Sequence, residues 1–572
     1  MRPLSAQESI EGAGLRQLHL RPVIRFGCLL AFCLCLKLVA LAQDKSWSER
    51  AAQMVNANAS AFAGAWSEGI GLELEGLDAA WYNTANGDYF SRAKSSVDGI
   101  LGSATQSAAI QGSSPAAKAL FGRQLLLLYR VTLSPKYYKA AAELYAQLAA
   151  ECGIPSSERS VSIGYTPCAV QPFLAEYASV FQQPQDYASI TKSFENVEDQ
   201  ATPQLAASLV DALPYYAQQD QGRAALVALL HRVAAKIARP QAAPSPSYAD
   251  SLSVYALAKG VRLGYLPVSD LTRAEQAWSK ISAKFDSTGT ASGGAAELGA
   301  FLLAATEMDH ASTAAVARGE TVLLDAWFNS QQRKNAAGQT ESFHYKWSDM
   351  SDSGYALLGH MFRSYGAATD ALDSAPTQES LRSAQFYLIA SPDIPVKNPN
   401  PHYVTEKDAS EIAAWVKQGG VLILLENDPP NADIAHLNLL ADRFGIHFDD
   451  VLHHHVLGEH IEDGRIPVTP DGALFHHPHT LYMKDTCAIS LSGPAVALLN
   501  DRGDVVMATA KYGRGTVFAA VDPWLYNEYT DGRKNPQIYS QFDNFAGGKE
   551  LVQWLIQQHS HQTTLARKKE IQ

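Results

Sequence analysis

Three short groups of polar residues, each following an apolar run, could line a ligand-binding crevice in the second half of the chain. Two of the runs, FYLIAS and VLILLEN, have the composition of strands that are buried on both faces of a parallel sheet. Ligands of open α/β sheets bind at the carboxyl ends of the strands, which is where these polar groups would lie. The alternative is that they are only helix caps and turn-forming acids. The candidate ligand-binding residues are Asp393, Glu426, Asn427, Asp428, Asp522 and Trp524.

The string Phe343–Trp347 combines aromatic side chains with a cation and offers a second candidate site. An aromatic platform beside a cation suits the ring of an acidic sugar. His344, Lys346 and Trp347 are therefore candidate ligand-binding residues. The competing interpretation is a first β-strand of the sheet, on which alternate aromatic residues would be buried.

Histidine is concentrated between His402 and His479, a stretch that holds ten of the 17 in the chain. On a strand, His453 and His455 would share one face, and the histidines of residues 476–479 could converge with them. Neutral imidazoles at such spacing can hold Zn²⁺ or another transition metal. No spacing here matches a known ligand motif, so we interpret these histidines as surface or loop residues. The sequence predicts no metal and no cofactor.

Helical periodicity dominates the chain from Trp47 to about Gln332, a region rich in Ala, Leu and Tyr. The segments PFLAEYASVF, LGAFLLAATEM, RQLLLLYRVT and SVYALAKGVRLGYL each place apolar residues on one face of a helix. Polar joints that contain Gly or Pro separate these segments. The pattern predicts an all-α domain of many packed helices, without strands.

After about Thr340 the pattern becomes that of an open α/β sheet. Between the two apolar runs, TEKDASEIAAWVKQGG predicts a helix with Thr405 as its N-cap, Asp408 in a capping-box-like contact and Gly419-Gly420 as its stop. The order strand, helix, strand implies a right-handed crossover. Further on, DVVMATAKYGRGTVFAAVDP predicts a hairpin and GKELVQWLIQQ the final helix.

Composition limits the class of partner. The net charge is −12 and the basic cluster Arg567-Lys568-Lys569 lies at the extreme C-terminus, so nucleic acid is not an expected partner. Cys152, Cys168 and Cys487 follow the N-terminal apolar run, and this odd count allows at most one disulfide among them. The fold must therefore rest on hydrophobic burial rather than on covalent links.

The N-terminal residues have the pattern of a secretory signal. An apolar run from Phe26 to Ala42 follows two arginines and ends in Ala-Leu-Ala. The run is short and contains Lys37, so a permanent membrane span is the weaker interpretation. We expect residues 1–42 to be a signal peptide and to make the protein's membrane contact. The mature protein would then be periplasmic or extracellular.

The helical region resembles the unsaturated glucuronyl and rhamnogalacturonyl hydrolases of glycoside hydrolase families 88 and 105. The resemblance rests on LEGLDAAWYNTANGDYF, GRQLLLLYRVT, PFLAEYASVF, VYALAKGVRLGYLP and LGAFLLAATEM, scaffold segments that span most of this half. It implies an (α/α)6 barrel over residues 43–335 with a central acidic cleft. It also implies hydration of the C4–C5 double bond of a Δ4,5-unsaturated uronic acid, in oligosaccharides left by pectin or glycosaminoglycan lyases.

Residues 340–560 resemble the amidotransferase-like α/β domain that is fused to some members of that family. The resemblance is continuous from FHYKWSDMSDSGYALLGH to KYGRGTVFAAVDPWLYNEYTDGR. It implies a multidomain α and α/β protein, in which a doubly wound flavodoxin- or amidotransferase-like sheet follows a degenerate barrel. Glutamine hydrolysis is not expected, because Cys487 lies in KDTCAISLSG, which lacks the strand-to-helix elbow of a nucleophile.

The family's catalytic positions are occupied by other residues in this chain. Counting back from PFLAEYASVF, the family's acid/base aspartate falls on Tyr165, and the second acidic position, before GRQLLLLYRVT, falls on Ala117. The stretch that should hold the family's H-G-W-D and W-A-R-G-x-G-W motifs is missing. The reaction needs a group that alternately gives and takes a proton, and a tyrosine with an ordinary pKa near ~10 does this poorly at neutral pH.

Three explanations of these substitutions are open: a nearby acid acts instead, a former enzyme still binds a uronic-acid oligosaccharide, or the domain is a structural platform of the cell envelope. We expect a hydrolase-like protein of pectin-type polysaccharide degradation with lost or impaired catalysis. The shortened stretches near residues 151–167 and 196–204 should open one end of the barrel. The acids that could act instead are Glu151, Glu158, Glu195, Glu198 and Asp199.

Overall fold

The structure, a computed structural model, describes residues 45–57, 66–152, 170–195, 201–237, 248–288 and 294–571, without the side chains of 284–288 and 561–571. The chain from Trp47 onward forms one compact unit. The expected signal peptide, residues 1–42, lies outside the described residues. Within the described ranges, no helix combines the length and the apolar character needed to cross a membrane.

Helices make up the described parts of the chain between Trp47 and Met308. Several begin at a side chain that accepts a backbone N–H bond, as at Ser67, Ser114 and Thr202. The helices are α1 (Trp47–Ala57), α2 (Glu68–Thr84), α3 (Gly87–Leu101), α4 (Ala104–Gln111), α5 (Pro115–Thr132), α6 (Pro135–Glu151), α7 (Gln171–Val180), α8 (Tyr187–Glu195), α9 (Pro203–Ala212), α10 (Gln221–Ile237), α11 (Tyr248–Arg262), α12 (Ser269–Thr288) and α13 (Ala295–Met308). The four helices predicted from apolar periodicity are confirmed as α5, α7, α11 and α13.

Six of the described helices form a closed ring. Helices α2, α5, α7, α9, α11 and α13 contact one another in that order, and α13 packs back against α2. At this closure the two helices approach closely, because a Cβ atom on Gly299 would lie 2.5 Å from the backbone carbonyl carbon of Leu72. Helices α1, α3, α6, α8, α10 and α12 each pack against a ring helix. The ring therefore has a second layer of helices around it.

A mixed β-sheet forms the second half. The strands are β1 (Thr321–Asp325), β2 (Gln332–Lys334), β3 (Thr340–Ser342), β4 (Ala368–Leu372), β5 (Phe386–Ala390), β6 (Val421–Leu425), β7 (Ile446–His453), β8 (Arg465–Val468), β9 (His479–Tyr482), β10 (Thr486–Leu491), β11 (Ala495–Asp501), β12 (Asp504–Tyr512) and β13 (Gly515–Ala520). In the described chain, nine of them form one sheet in the order β4-β1-β5-β6-β13-β12-β10-β7, with β11 beside β12. Neighbours from β4 to β13 pair in parallel, and the rest pair antiparallel. Every residue of β5 and β6 is buried, so both faces of the sheet are covered.

The helices of this half are α14 (Ala356–Arg363), α15 (Gln378–Leu381), α16 (Glu406–Lys417), α17 (Ile434–Ala441), α18 (Asn527–Thr530), α19 (Pro536–Gln541) and α20 (Asn544–Ile571). The predicted capping box of α16 is confirmed. The amide of Asp408 donates to Thr405 Oγ1 at 3.2 Å, and the amide of Thr405 donates to Asp408 Oδ2 at 3.0 Å. The predicted hairpin is confirmed as β12 and β13, and the final helix as α20.

Two sequence predictions about the start of the sheet are wrong. The stretch Phe343–Trp347 is a loop rather than a strand, because His344 and Tyr345 have left-handed backbones, with φ of 64° and 54°, that no strand contains. The sheet begins earlier, with β1, inside the region from Trp47 to about Gln332 that the sequence predicts to be all-helical. The five residues TVLLD are too few for their periodicity to separate a buried strand from a helix.

The helices and the sheet each have their own hydrophobic core. One core contains buried residues between Ala51 and Ala314 together with three from further along the chain, and the second contains buried residues between Ala317 and Ile556. Those three, Met350, Ala356 and Leu357, belong to the first core. The start of α14 is therefore packed into the helical part of the chain.

Candidate functional site

The six ring helices bring charged side chains into one buried region. So many ionisable groups are tolerated away from water only when they are paired. Each ring helix contributes at least one of them. They are Glu75 and Asp78 from α2, Arg123 and Arg130 from α5, Glu176 from α7, Asp211 from α9, Lys259 and Arg262 from α11 and Glu307 from α13.

Arg123 is the hub of this cluster. Its Nη1 lies 2.9 Å from Glu75 Oε2 and 3.3 Å from Asp211 Oδ2, and its Nε lies 3.5 Å from Glu176 Oε2. Burial by itself lowers the pKa of Arg123, but the three carboxyl groups outweigh burial and hold the pKa well above its usual value. One guanidinium thus links three ring helices to α5.

Glu75 and Asp78 both have raised pKa values. Burial raises the pKa of Glu75 to about 7, although the charge of Arg123 opposes that shift. Burial and then the charge of Glu75 raise the pKa of Asp78 well above its usual value. Gln124 Nε2 donates to Asp78 Oδ2 at 2.7 Å. A carboxyl group with a pKa near neutrality can both give and take a proton, which is what general acid–base chemistry requires.

Asp211 is held in the ionised form. Burial opposes its ionisation, but Lys259 and Arg123 lower the pKa of Asp211 below its usual value. Lys259 Nζ and the hydroxyl of Tyr255 both donate to Asp211 Oδ1, at 2.6 Å and 2.5 Å. Asp211 is therefore a stable anion that positions a lysine and a tyrosine.

A cavity of about 1130 Å³ has four residues of this cluster, Arg130, Lys259, Arg262 and Glu307, on one wall and the α/β part of the chain on another. The ring helices contribute Tyr82, Arg130 and Lys259, among others, and the amino ends of β1 and β4 lie on the facing wall. The wall carries seven Arg and Lys side chains against four of Asp and Glu, together with six tyrosines and Trp347. The cations are Arg130, Arg223, Lys259, Arg262, Arg318, Arg333 and Arg363, and the acids are Glu307, Glu320, Glu341 and Asp349.

Hydrogen bonds fix the α/β wall to the ring helices. The β2–β3 hairpin is held at Gln339, whose Nε2 donates to the carbonyl of Phe181 at 2.6 Å. Arg130 Nη2 donates to the carbonyl of Ser348 at 3.3 Å, beside Trp347. The cavity is therefore a single site built from both parts of the chain, and we call it the central cavity.

The candidate residues at the carboxyl ends of the strands come to one edge of the sheet, away from the central cavity. They follow β5, β6 and β13, which are neighbours. Their side chains are buried rather than open: Asp393, Glu426, Asp522 and Trp524 have no exposed surface. In the described chain, Glu426 Oε2 and Asp522 Oδ1 accept no hydrogen bond. Ligand binding at Asp393, Glu426, Asn427, Asp428, Asp522 and Trp524 stays a prediction.

Glu426 gives this edge a measurable pH dependence. Burial raises the pKa of Glu426 from 4.5 to about 8. A group whose pKa is raised on folding stabilises the fold fully below its unfolded pKa and loses that contribution as the pH rises through the folded pKa. The free energy of unfolding should therefore fall between about pH 4.5 and pH 8, by up to ~1.4 kcal/mol per pH unit from this group.

The Glu426→Gln variant replaces the protonated acid by a neutral group of the same shape. It should reduce the decrease in the free energy of unfolding between about pH 4.5 and pH 8. Urea midpoints at one-unit steps from pH 5 to pH 9 measure it. Glu459→Gln, at an exposed position, should keep the wild-type profile. An unchanged profile in Glu426→Gln would mean that this carboxyl group is ionised in the folded protein.

Of the candidates in the Phe343–Trp347 string, Trp347 lines the central cavity and the other two do not. Lys346 is buried and its Nζ donates to the carbonyl of Asn329 at 2.6 Å. Burial lowers the pKa of His344 to about 3, so this imidazole is neutral. Trp347 Nε1 donates to the carbonyl of Asp370 at 2.9 Å, which fixes the indole ring at the cavity wall.

Of the two positions counted from the family motifs, the structure describes Ala117. Tyr165 lies outside the described residues, as do Glu158, Glu198 and Asp199. Ala117 is buried near the start of α5, and its carbonyl accepts the indole N–H of Trp66 at 2.9 Å. Glu151 and Glu195 lie at the ends of α6 and α8, away from the cavity wall.

The three histidines of residues 453–455 pair with three different carboxylates instead of converging. His453 Nδ1 lies 2.6 Å from Asp504 Oδ2, His454 Nε2 lies 2.8 Å from Asp501 Oδ2, and His455 Nδ1 lies 2.7 Å from Asp485 Oδ1. Likewise, His477 and His479 pair with Glu550, and His479 also with Asp543. In the described chain, no three His, Cys, Asp or Glu side chains have the arrangement of a metal site.

Cys487 lies within β10, where burial raises the pKa of its thiol well above the usual value. A buried thiol of this kind is a poor nucleophile. This position agrees with the expectation from the sequence that Cys487 is not the nucleophile of an amidotransferase.

The charged cluster is not among the sites predicted from the sequence, although the sequence shows each of its residues. Glu176 lies inside PFLAEYASVF, Glu307 inside LGAFLLAATEM and Asp211 inside PQLAASLVDALPYY. The first two segments are among those that the apolar periodicity predicts to be helices. The available signal was a lone charge within an otherwise apolar helix, repeated from helix to helix, which indicates charges that face one another inside the fold.

No protein-family model matches the chain, and no curated protein matches it. Similar solved structures include a family 105 glycoside hydrolase from C. acetobutylicum ATCC 824, at 18% identity and a TM-score of 0.38, covering 46% of this chain and 99% of that chain. They also include a family 88 glycosyl hydrolase from Bacteroides vulgatus, at 13% identity and a TM-score of 0.38, covering 47% and 100%. The N-terminal domain of mmIFT52 is similar at 16% identity and a TM-score of 0.31, covering 41% and 97%. Likenesses with TM-scores this low indicate nothing about the site.

Proposed function

We propose that the chain binds a uronic-acid-containing oligosaccharide in the central cavity. The observation that carries this proposal is the composition of the cavity wall, where seven cationic side chains face four acidic ones among seven aromatic rings. Aromatic rings give flat surfaces for sugar rings, and the excess of cations selects an anionic ligand. The volume of about 1130 Å³ suits an oligosaccharide rather than a single sugar.

A small acidic ligand fits the charge of the whole protein better than a polyanion does. The net charge of −12 repels a long polyanion such as nucleic acid, while the positive wall of the cavity attracts a short one locally. The ligand class is therefore that of the pectin-type fragments implied by the family resemblance.

We infer that the hydration reaction of the resembling hydrolases is lost or impaired here. The acids on the cavity wall already have partners. Glu307 accepts two bonds from Arg262, both at 2.7 Å, and Arg333 lies 2.6 Å from Glu341 Oε1. Asp349 Oδ1 accepts hydrogen bonds from the amide and the hydroxyl of Ser351. The oxygens of these carboxylates are therefore occupied by groups of the protein itself.

A second candidate function, catalysis by a different acid, is favoured by one observation. Burial raises the pKa of Glu75 to about 7, which is the range of a general acid or base. Glu75 and Asp78 would then be the acid pair of a hydrolase whose family positions have changed. In the third possibility, a structural role in the cell envelope, the cavity would have no ligand.

Turnover separates these functions. Purified protein would be incubated with unsaturated rhamnogalacturonan and glucuronan disaccharides, and loss of the ultraviolet absorbance of the C4–C5 double bond would be followed. We expect no turnover, with thermal stabilisation by the same sugars. Turnover that Glu75→Gln abolishes would establish the catalytic function instead, and neither turnover nor stabilisation would favour the structural role.

At the level of architecture, we propose an (α/α)6 barrel followed by an amidotransferase-like α/β domain, as expected over residues 43–335 and 340–560, with the boundary moved to before β1 because β1 (Thr321–Asp325) belongs to the sheet. The closed ring with its second layer of helices supports the barrel. The parallel order β4-β1-β5-β6-β13 supports a doubly wound, flavodoxin-like sheet. We further propose that residues 1–42 are a signal peptide and that the protein acts in the periplasm or outside the cell.

A further inference from the structure

Arg363 is the last residue of α14 and lies on the wall of the central cavity. Its Nη1 donates to Thr369 Oγ1 at 3.0 Å. Within the described part of the chain, its Nε and Nη2 have no hydrogen-bond partner, and no carboxylate lies within ion-pair distance of its guanidinium. This half-buried cation therefore has unused donors at the cavity.

The other arginines of the wall use their charge or their donors within the protein. Three of them pair with acids, Arg223 lies 5.3 Å from the ring centroid of Tyr265, and Arg318 donates to the carbonyls of Val261 and Gly264. The three ion pairs are Arg130 with Glu176 at 3.3 Å, Arg262 with Glu307 at 2.7 Å and Arg333 with Glu341 at 2.6 Å.

The surroundings of Arg363 favour the arrival of an anion. Burial, together with the charges of Arg262 and Arg130, lowers the pKa of Arg363 to about 10, while the hydroxyl of Tyr82 opposes that shift. The group is still charged at neutral pH. A half-buried cation beside two like charges is unfavourable until a counter-charge reaches it. An anionic group of the ligand would supply that counter-charge.

Trp347 presents an aromatic ring beside this cation. A Cβ atom on Gly359 would lie 2.9 Å from Arg363 Nη1 and 3.0 Å from Trp347 Cε3, so the guanidinium and the indole both lie against the same point of α14. Glycine at this position leaves room for both groups. A sugar ring on the indole would then place a substituent within reach of the guanidinium.

We propose that Arg363 binds the carboxylate of a uronic-acid residue, so that the α/β part of the chain supplies the residue that selects acidic over neutral sugars. This inference rests on the proposed function of the central cavity. The planar guanidinium has two free nitrogen donors, and a carboxylate accepts two such bonds side by side. Trp347 positions the sugar ring that carries this carboxylate.

The test compares an acidic ligand with its neutral methyl ester. A trisaccharide of galacturonic acid and its fully methyl-esterified form would be titrated calorimetrically into the full-length wild type, Arg363→Gln, Arg363→Lys and Arg382→Gln. Arg382 is an exposed arginine whose Nη2 lies 2.6 Å from Glu379 Oε2, so it provides a matched control. Thermal unfolding of each variant checks that the fold is intact.

We expect the wild type and Arg382→Gln to prefer the acid over the ester by about tenfold, the ratio that corresponds to ~1.4 kcal/mol. Arg363→Gln should bind both forms with the affinity of the ester, and Arg363→Lys should keep a reduced preference because lysine is only a point charge. A full wild-type preference in both Arg363 variants would refute this inference while the binding function stands. Failure of the wild type to bind either trisaccharide would refute the proposed function itself. Should Arg363→Gln not fold, a preference in Arg363→Lys reduced at least threefold supports the inference, and an unchanged one refutes it.

Discussion

Replacing Arg123 with methionine should lower the free energy of unfolding by about 3–5 kcal/mol. The guanidinium of Arg123 lies within 3.5 Å of carboxylate oxygens from Glu75, Glu176 and Asp211. Methionine has a similar length but no charge, so the three carboxyl groups would lose the cation that they share. An acid left in a buried place without its partner costs far more than the ion pair itself contributes.

Arg382→Met provides the matched control for this substitution. Arg382 pairs with Glu379 one helical turn away, and about three quarters of each side chain is exposed. An exposed pair of this kind contributes ~0–1 kcal/mol. Urea denaturation of both variants would measure the difference in their midpoints. Equal midpoints would mean that the cluster around Arg123 is hydrated and does not hold the ring together.

The substitution Gly87→Ala should also destabilise the protein, by about 1–3 kcal/mol and near the upper end of that range. A Cβ atom on Gly87 would lie 2.3 Å from both the carbonyl carbon and the carbonyl oxygen of Gly532. Both atoms belong to the backbone, so no side chain can move aside. The segment is also held by the amide of Gly532, which donates to the carbonyl of Ala85 at 2.9 Å, and by Arg533, whose guanidinium carbon lies 3.3 Å from the ring centroid of Trp81.

The same helix offers a control substitution that should raise the free energy of unfolding instead of lowering it. Gly99 is exposed near the end of α3, and a Cβ atom there meets nothing within 4 Å. Gly99→Ala should therefore stabilise the helix by ~0.5–1 kcal/mol, since alanine loses less backbone entropy on folding. Thermal unfolding of both variants tests the pair. A Gly87→Ala variant as stable as Gly99→Ala would show that α3 and the Gly532 segment are not in backbone contact.

Long periodic segments were read correctly from the sequence because they depend on local chemistry. Helix α7 was evident from its apolar face, and the cap of α16 from Thr405 and Asp408 alone. The short strand β1 was missed, since five apolar residues fit a helix as well as a strand. The loop at His344 was missed because its left-handed backbone is set by distant packing and not by residue type.

The candidate site was predicted less well than the fold, for a physical reason. Polar residues that cluster along the chain were taken to predict ligand-binding groups. Such clusters occur in loops and helix caps as often as in binding sites. The wall of the central cavity carries single charges, such as Arg130, Lys259 and Glu307, that stand far apart in the chain on apolar helices. Only the closure of the ring brings them together, and Trp347 alone among the candidates lines the cavity.

The amino edge of the sheet, and not its carboxyl edge, faces the central cavity. Thr321 and Ala368, the first residues of β1 and β4, both line it. Ligands of open α/β sheets usually bind at the opposite edge. In this chain the sheet therefore serves the cavity as a wall, and its carboxyl edge is closed by buried side chains such as Asp522.

Blocking the central cavity tests the central claim most directly. Ala368 and Ala371 are exposed residues of the same strand, β4, and Ala368 lines the cavity whereas Ala371 does not. Calorimetric titration of the wild type, Ala368→Trp and Ala371→Trp with a galacturonic acid trisaccharide would compare an indole inside the cavity with one outside it. We predict that Ala371→Trp binds like the wild type and that Ala368→Trp binds at least about tenfold more weakly. Wild-type affinity in Ala368→Trp would contradict the account, because the sugar would then bind elsewhere.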